Sequence, residues 1–120
     1  MGRRSQQVIE QAANVRDRGG ENVAIEYIRY RIPAEGANAF VDAYRAAVVP
    51  LGASEYCLGY DLTQCAEDPE LFTLRIRWTS IDDHLQKFRS SRQFREFFSH
   101  IRPFVGQIEK MQHYAVTLAG

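Results

Sequence analysis

Phe72-Thr73-Leu74-Arg75-Ile76-Arg77-Trp78, running into Thr79-Ser80-Ile81-Asp82-Asp83-His84-Leu85, is the stretch on which the fold turns. Phe72, Leu74, Ile76 and Trp78 alternate, the pattern of a strand buried on one face. The period then lengthens. Ile81, Leu85 and Phe88, followed by Phe94, Phe97, Phe98 and Ile101, recur at helical spacing. Between the two periods Ser80 is placed to cap a helix, with Asp83 completing a capping box. Asp82 and Asp83 also suit the positive end of the helix dipole. The chain's one tryptophan therefore ends a strand just before a helix begins, a junction where α+β layers tend to open into a pocket.

Upstream, Ala66-Glu67-Asp68-Pro69-Glu70 reads as a turn, so Glu55–Gln64 and Leu71–Trp78 form an antiparallel hairpin. Tyr56, Leu58, Tyr60 and Leu62 are expected on one face of its first strand. Gly59 suggests a bend or a close backbone approach. Ala34–Val49 carries an apolar stripe through Ala37, Phe40, Val41, Tyr44, Ala47 and Val48, and Pro50 is expected to end this helix. Asn22–Ile32 is rich in β-branched and aromatic residues, but its apolar parity slips between Tyr27 and Ile28. Either both faces are covered or a bulge intervenes, and a central strand covered on both sides fits best. Ile108–Leu118 gives a last strand with Met111, His113, Ala115 and Thr117 on one face.

The order is strand, helix, strand, strand, one or two helices, strand. This is the ferredoxin-like α+β plan, βαββαβ, with a four-stranded antiparallel sheet and helices on one face. Several strands carry apolar residues on both faces, so the face without helices is expected to be an interaction surface. Back-to-back pairing of two sheets in a homodimer would cover it.

A length of 120 residues fits one domain, here 21–120, preceded by a polar arm over 1–20 with a weak helical pattern. Fifteen basic and fifteen acidic residues cancel, so net charge gives no case for nucleic acid or membrane as partner. The absence of a long apolar run leads to the expectation of a cytoplasmic protein. Cys57 and Cys65 lie along one strand, roughly 26 Å apart if extended, and are expected to be buried free thiols.

Candidate chemistry starts at Trp78, whose indole either meets a planar ligand or seals the seam between sheet and helix. His84, in the first helical turn, either takes a phenolic proton as a neutral imidazole or is a boundary histidine. Tyr27 and Tyr60, with Tyr30 and Tyr56, either orient a substrate hydroxyl or pack the sheet. Glu96 and His100 stand four apart on one helix, but two ligands make a poor metal site and no metal is expected. Arg75 and Arg77 face away from Trp78, where polar dimer contacts with acidic residues such as Glu26 or Asp61 are expected, with substrate-anion binding as the second reading. No phosphate loop, dinucleotide fingerprint or catalytic serine set is present.

Taken in order, Pro33-Ala34-Glu35, Phe40, Leu58-Gly59-Tyr60-Asp61-Leu62, Trp78-Thr79-Ser80 and Phe94 with Phe97-Phe98 resemble the antibiotic biosynthesis monooxygenase family of dimeric α+β barrels. The likeness runs from about Val23 to Thr117. Phe88-Arg89-Ser90-Ser91-Arg92-Gln93-Phe94-Arg95 looks most like modules of this family joined to truncated haemoglobins. The resemblance implies a homodimer and a pocket between sheet and helices. It also implies oxygenation of an aromatic or quinol-type molecule without metal, flavin or other cofactor. Trp78 and His84 would then be catalytic, with Tyr27, Ile28, Tyr60, Phe88 and Phe98 around the substrate. The chain departs from relatives that place Asn on the first strand, near Ile28, and His on the helix, near Phe88. That departure keeps a second reading open: a binding or accessory module for an apolar ligand or a haem-protein partner.

Overall fold

A computed structural model of the chain describes residues 23–120. The arm over 1–20 lies outside the described residues. The elements are β1 (Ala24–Arg31), α1 (Ala37–Gly52), β2 (Cys57–Gln64), β3 (Leu71–Trp78), a π-helical segment (Asp83–Phe88), α2 (Arg92–Ile101) and β4 (Ile108–Ala115). Tight 3₁₀ turns over Ala34–Gly36 and Arg102–Gln107 lead into α1 and β4. The sheet order is β2-β3-β1-β4 with every neighbour antiparallel, which is the expected ferredoxin-like arrangement.

Hydrophobic burial decides which face of the sheet the helices cover. β1 sends Ala24, Glu26, Ile28 and Tyr30 inward, and β3 sends Phe72, Leu74, Ile76 and Trp78 to the same side. Phe40, Tyr44, Ala47 and Leu51 of α1 and Phe97 and Ile101 of α2 close over them. Phe40 is the hub, with ring centroids 4.9 Å from Tyr30, 5.1 Å from Tyr44, 5.0 Å from Phe72 and 5.3 Å from Phe104. The Tyr30 and Tyr44 hydroxyls hydrogen-bond to each other, which satisfies two phenols that are otherwise sealed from water.

The structure departs from the sequence reading at particular residues. Pro50 does not end α1, which continues to Gly52 with Pro50 and Leu51 buried. A proline in the last turn forfeits one backbone hydrogen bond, and burying the two side chains offsets that loss. β1 keeps an unbroken register with β3, so no bulge causes the parity slip near Tyr27. Its inward face holds a carboxyl, Glu26, while Ile25 and Tyr27 point to the other side. On β2 the register shifts between Cys57 and Gly59, opposite Trp78 and Arg77, so the expected bend at Gly59 is a β-bulge. The extra residue takes Leu58 out of phase with Tyr60 and Leu62, and both Leu58 and Tyr60 are exposed. Both cysteines are free but only partly buried.

Within the chain Asp61 pairs with Arg75, at 2.6 Å. Glu26 does not, because it occupies the opposite face. Glu96 pairs with Arg92 at 3.0 Å and His100 is exposed. Among the described residues no helix is long and apolar enough to cross a membrane.

Candidate active site

The site forms where the inward residues at the start of β1 meet the end of β3. Ser80 Oγ accepts the Asp83 N–H at 2.9 Å, starting the helical run as its sequence suggests. Asp83 does not complete the capping box. Its carboxylate instead accepts from Thr79 Oγ1 at 2.6 Å and pairs with Lys87 at 3.0 Å, and these two partners hold it below the usual carboxylate range. The turn then widens: the Arg89 N–H reaches back five residues to the His84 carbonyl at 3.2 Å. Such π-helical turns carry an extra residue and often mark functional positions. Here the widened turn carries the His84 ring over the indole of Trp78, with centroids 4.4 Å apart and planes within 11°.

Trp78 is fully buried, and its Nε1–H donates to Glu26 Oε1 at 3.0 Å. His84 Nε2 lies 3.5 Å from the same oxygen, and His84 Nδ1 lies 2.8 Å from His113 Nε2 on β4. The register explains the meeting, since Glu26 stands directly opposite His113 in the β1–β4 pair. The result is a row of polar contacts from indole to carboxyl to imidazole to imidazole, hydrogen-bonded at Trp78–Glu26 and His84–His113 and wider, at 3.5 Å, between Glu26 and His84. Two of its atoms, Glu26 Oε2 and His113 Nδ1, are buried without a hydrogen-bond partner.

The electrostatics follow from burial. Desolvation pushes the Glu26 carboxyl up to about 7, against the opposing pull of the Trp78 N–H and the Arg89 guanidinium. Burial, Arg89 and His113 together hold His84 well below the ordinary imidazole range. Burial and then Arg89 bring His113 down to about 4. Both imidazoles are therefore neutral at neutral pH, and the Glu26–His84 contact is a carboxyl beside a neutral ring.

Two proton arrangements satisfy this chain. In one, Glu26 is ionised and accepts from His84 Nε2–H, while His84 Nδ1 accepts from His113 Nε2–H. In the other, Glu26 is protonated, His84 Nδ1–H donates to His113 Nε2, and His113 carries its proton on Nδ1. They differ by one proton: two transfers, Glu26 to His84 Nε2 and His84 Nδ1 to His113 Nε2, separate them, with the extra proton entering or leaving at His113 Nδ1.

A cavity of about 240 Å³ adjoins the chain and runs along β1 past Glu26, Ile28 and Tyr30. Ile76 and Trp78 extend its sheet side, and Phe88, Phe94, Phe97 and Phe98 cover it from the helices. Its polar groups include Glu26, His84 and Arg89, set among apolar walls. A cavity of roughly 150 Å³ accommodates benzene, so this one has room for a larger flat ring system.

Six of the residues singled out from sequence meet at this cavity: Trp78, His84, Ile28, Tyr30, Phe88 and Phe98. Tyr27 and Tyr60 do not. Tyr27 lies on the opposite face of the sheet, edge-on to Tyr114 at 5.2 Å. Tyr60 sits on the outermost strand, 43% exposed, with its ring against Gly52. Glu26, His113 and Arg89 were missed. Glu26 could have been found by stepping back two residues from inward-facing Ile28.

The fold and the site define a class: a ferredoxin-like α+β domain with an aromatic-lined cavity and a buried carboxyl–imidazole cluster at one end. The family model described as antibiotic biosynthesis monooxygenase matches residues 24–99, and the chain belongs to that family. Similar proteins include the uncharacterised YczJ of Bacillus subtilis, 24% identical over 75 residues, covering 62% of this chain and 79% of YczJ. A candidate antibiotic biosynthesis monooxygenase from Bordetella bronchiseptica superposes with a TM-score of 0.64 at 23% identity, covering 82% of this chain and 99% of that one. PA3566 of Pseudomonas aeruginosa does so with a TM-score of 0.62 at 20% identity, covering 86% and 100%. At these identities the structural likeness establishes the fold.

Proposed function

We propose that the protein oxygenates an aromatic or quinol-type small molecule, the cavity holding the ring and Glu26 taking its proton. The observation that carries this reading is the buried Trp78–Glu26–His84–His113 chain at one end of an aromatic-walled cavity. Removing a proton from a phenol or quinol leaves an electron-rich anion able to reduce oxygen. For a ring methylene the balance is simple: a C–O bond forms to oxygen, the O–O bond breaks and water leaves. The methylene becomes a carbonyl, and all the electrons come from the substrate. Glu26 holds the abstracted proton and returns it to the leaving water, and apolar walls keep bulk water from the anion. Trp78 positions the carboxyl through its N–H, and His84 stacks on the indole beside it.

Trp78 supplies a convenient readout, being the chain's one tryptophan. A panel of reduced quinols and anthrone-like phenols should quench its fluorescence, and at least one should drive oxygen uptake that falls in His84→Ala. Quenching with no uptake by any member would support the second reading instead, a ligand-binding module. The apolar cavity walls are what favour that alternative.

We further propose a homodimer formed through the sheet face that the helices leave open. Tyr27 and Tyr114 form its aromatic patch, bordered by Arg31–Glu109 at 2.9 Å and Arg75–Asp61 at 2.6 Å. Sedimentation should give a dimer at micromolar concentration, and Tyr27→Asp should shift it to monomer. A wild-type monomer under those conditions would exclude this assembly.

A further inference from the structure

We infer that Glu26, His84 and His113 form a binding site for one divalent transition-metal ion, a use of these side chains beyond proton transfer. One potential ligand atom from each lies within 4.8 Å of the others. They come from β1, the π-helical segment and β4, so the tertiary fold alone assembles them. Two imidazoles and a carboxylate are the donor set that zinc, iron, cobalt and nickel accept, whereas magnesium and calcium prefer all-oxygen sites.

Three features go beyond mere proximity. Glu26 Oε2 is buried without a partner, which is unusual for an atom with lone pairs. Trp78 Nε1–H holds Glu26 Oε1 and leaves Oε2 open, the kind of outer contact that orients a metal-binding carboxylate. Glu26 and His84 also border the cavity, which has space for a water or a substrate oxygen as a further ligand.

Some closure is required. Ligand atoms around a tetrahedral ion lie about 3.4 Å apart, so the widest pair must approach by up to about 1.4 Å. The His84 Nδ1 to His113 Nε2 separation of 2.8 Å is already shorter than that and would open slightly. Arg89 borders the same cavity and opposes a cation, which favours an anionic further ligand. A bound ion would occupy the carboxylate lone pair that takes the substrate proton, so metal loading and proton abstraction by Glu26 exclude each other.

The test is a Co²⁺ titration of the full-length, chelator-treated protein, read by ligand-field absorption and equilibrium dialysis. The expected result is one Co²⁺ per chain, displaced by Zn²⁺ and not by Mg²⁺ or Ca²⁺. Glu26→Gln and His113→Ala should each weaken binding by about ten-fold or more, while His100→Ala, at an exposed histidine, should leave it unchanged. Co²⁺ should also raise the thermal midpoint of the wild type and not that of His113→Ala. No binding, or binding indifferent to Glu26→Gln and His113→Ala, would overturn the inference. The readout needs no turnover, so this result stands apart from that of the oxygenation assay.

Discussion

Phe40→Ala is expected to lower the unfolding free energy by about 3–5 kcal/mol, a large share of the ~5–15 kcal/mol that holds a domain of this kind. Phe40 has no exposed surface, and the rings of Tyr30, Tyr44, Phe72 and Phe104 lie around it. Truncation removes the ring from contact with β1, β3 and the turn before β4 together, and those rigid neighbours cannot collapse fully into the gap. Urea unfolding at one fixed protein concentration, so that self-association does not differ between samples, measures the loss. A cost below about 1 kcal/mol would mean that the sheet–helix seam is held elsewhere.

Glu26→Gln is expected to lower turnover by about 10²–10⁴-fold, the usual contribution of a positioned general base. The amide keeps the size and leaves an oxygen for the Trp78 N–H, but it has no basic lone pair of comparable strength for a substrate proton. Ligand affinity, followed through Trp78 fluorescence, should change far less than the rate. That split separates a base from a residue that merely shapes the cavity, since a packing role would weaken binding and rate together. Equal losses in both would remove Glu26 from the proposed chemistry.

Much of the architecture was legible because each element keeps one period. Phe72 to Trp78 alternates and becomes β3, and Phe94, Phe97, Phe98 and Ile101 keep helical spacing and become the inner face of α2. Met111, His113 and Ala115 share a face as their alternation suggests. The site was less legible, because its polar members are set by pairing across the sheet. Glu26 hid behind the apolar Ile25 and Tyr27 on either side of it, which belong to the opposite face. Its meeting with His113 depends on a register that shifts beside Arg29 and Tyr30, and no local pattern foretells that shift. The π-helical turn that brings His84 over Trp78 is equally silent in the sequence: the apolar spacing points to Leu85, and the turn buries His84 instead. The absence of Asn near Ile28 looked like the loss of a polar partner for Trp78. The fold supplies Glu26 instead, one inward position earlier on the same strand.

Mass spectrometry of the product formed under ¹⁸O₂, with the same panel of quinols and anthrone-like phenols, tests the central claim most directly. A product carrying one ¹⁸O atom, formed by the wild type and strongly reduced in Glu26→Gln, is the expected result. Unlabelled product from every substrate, or labelled product at undiminished yield from Glu26→Gln, would contradict the assignment of oxygenation to this buried chain.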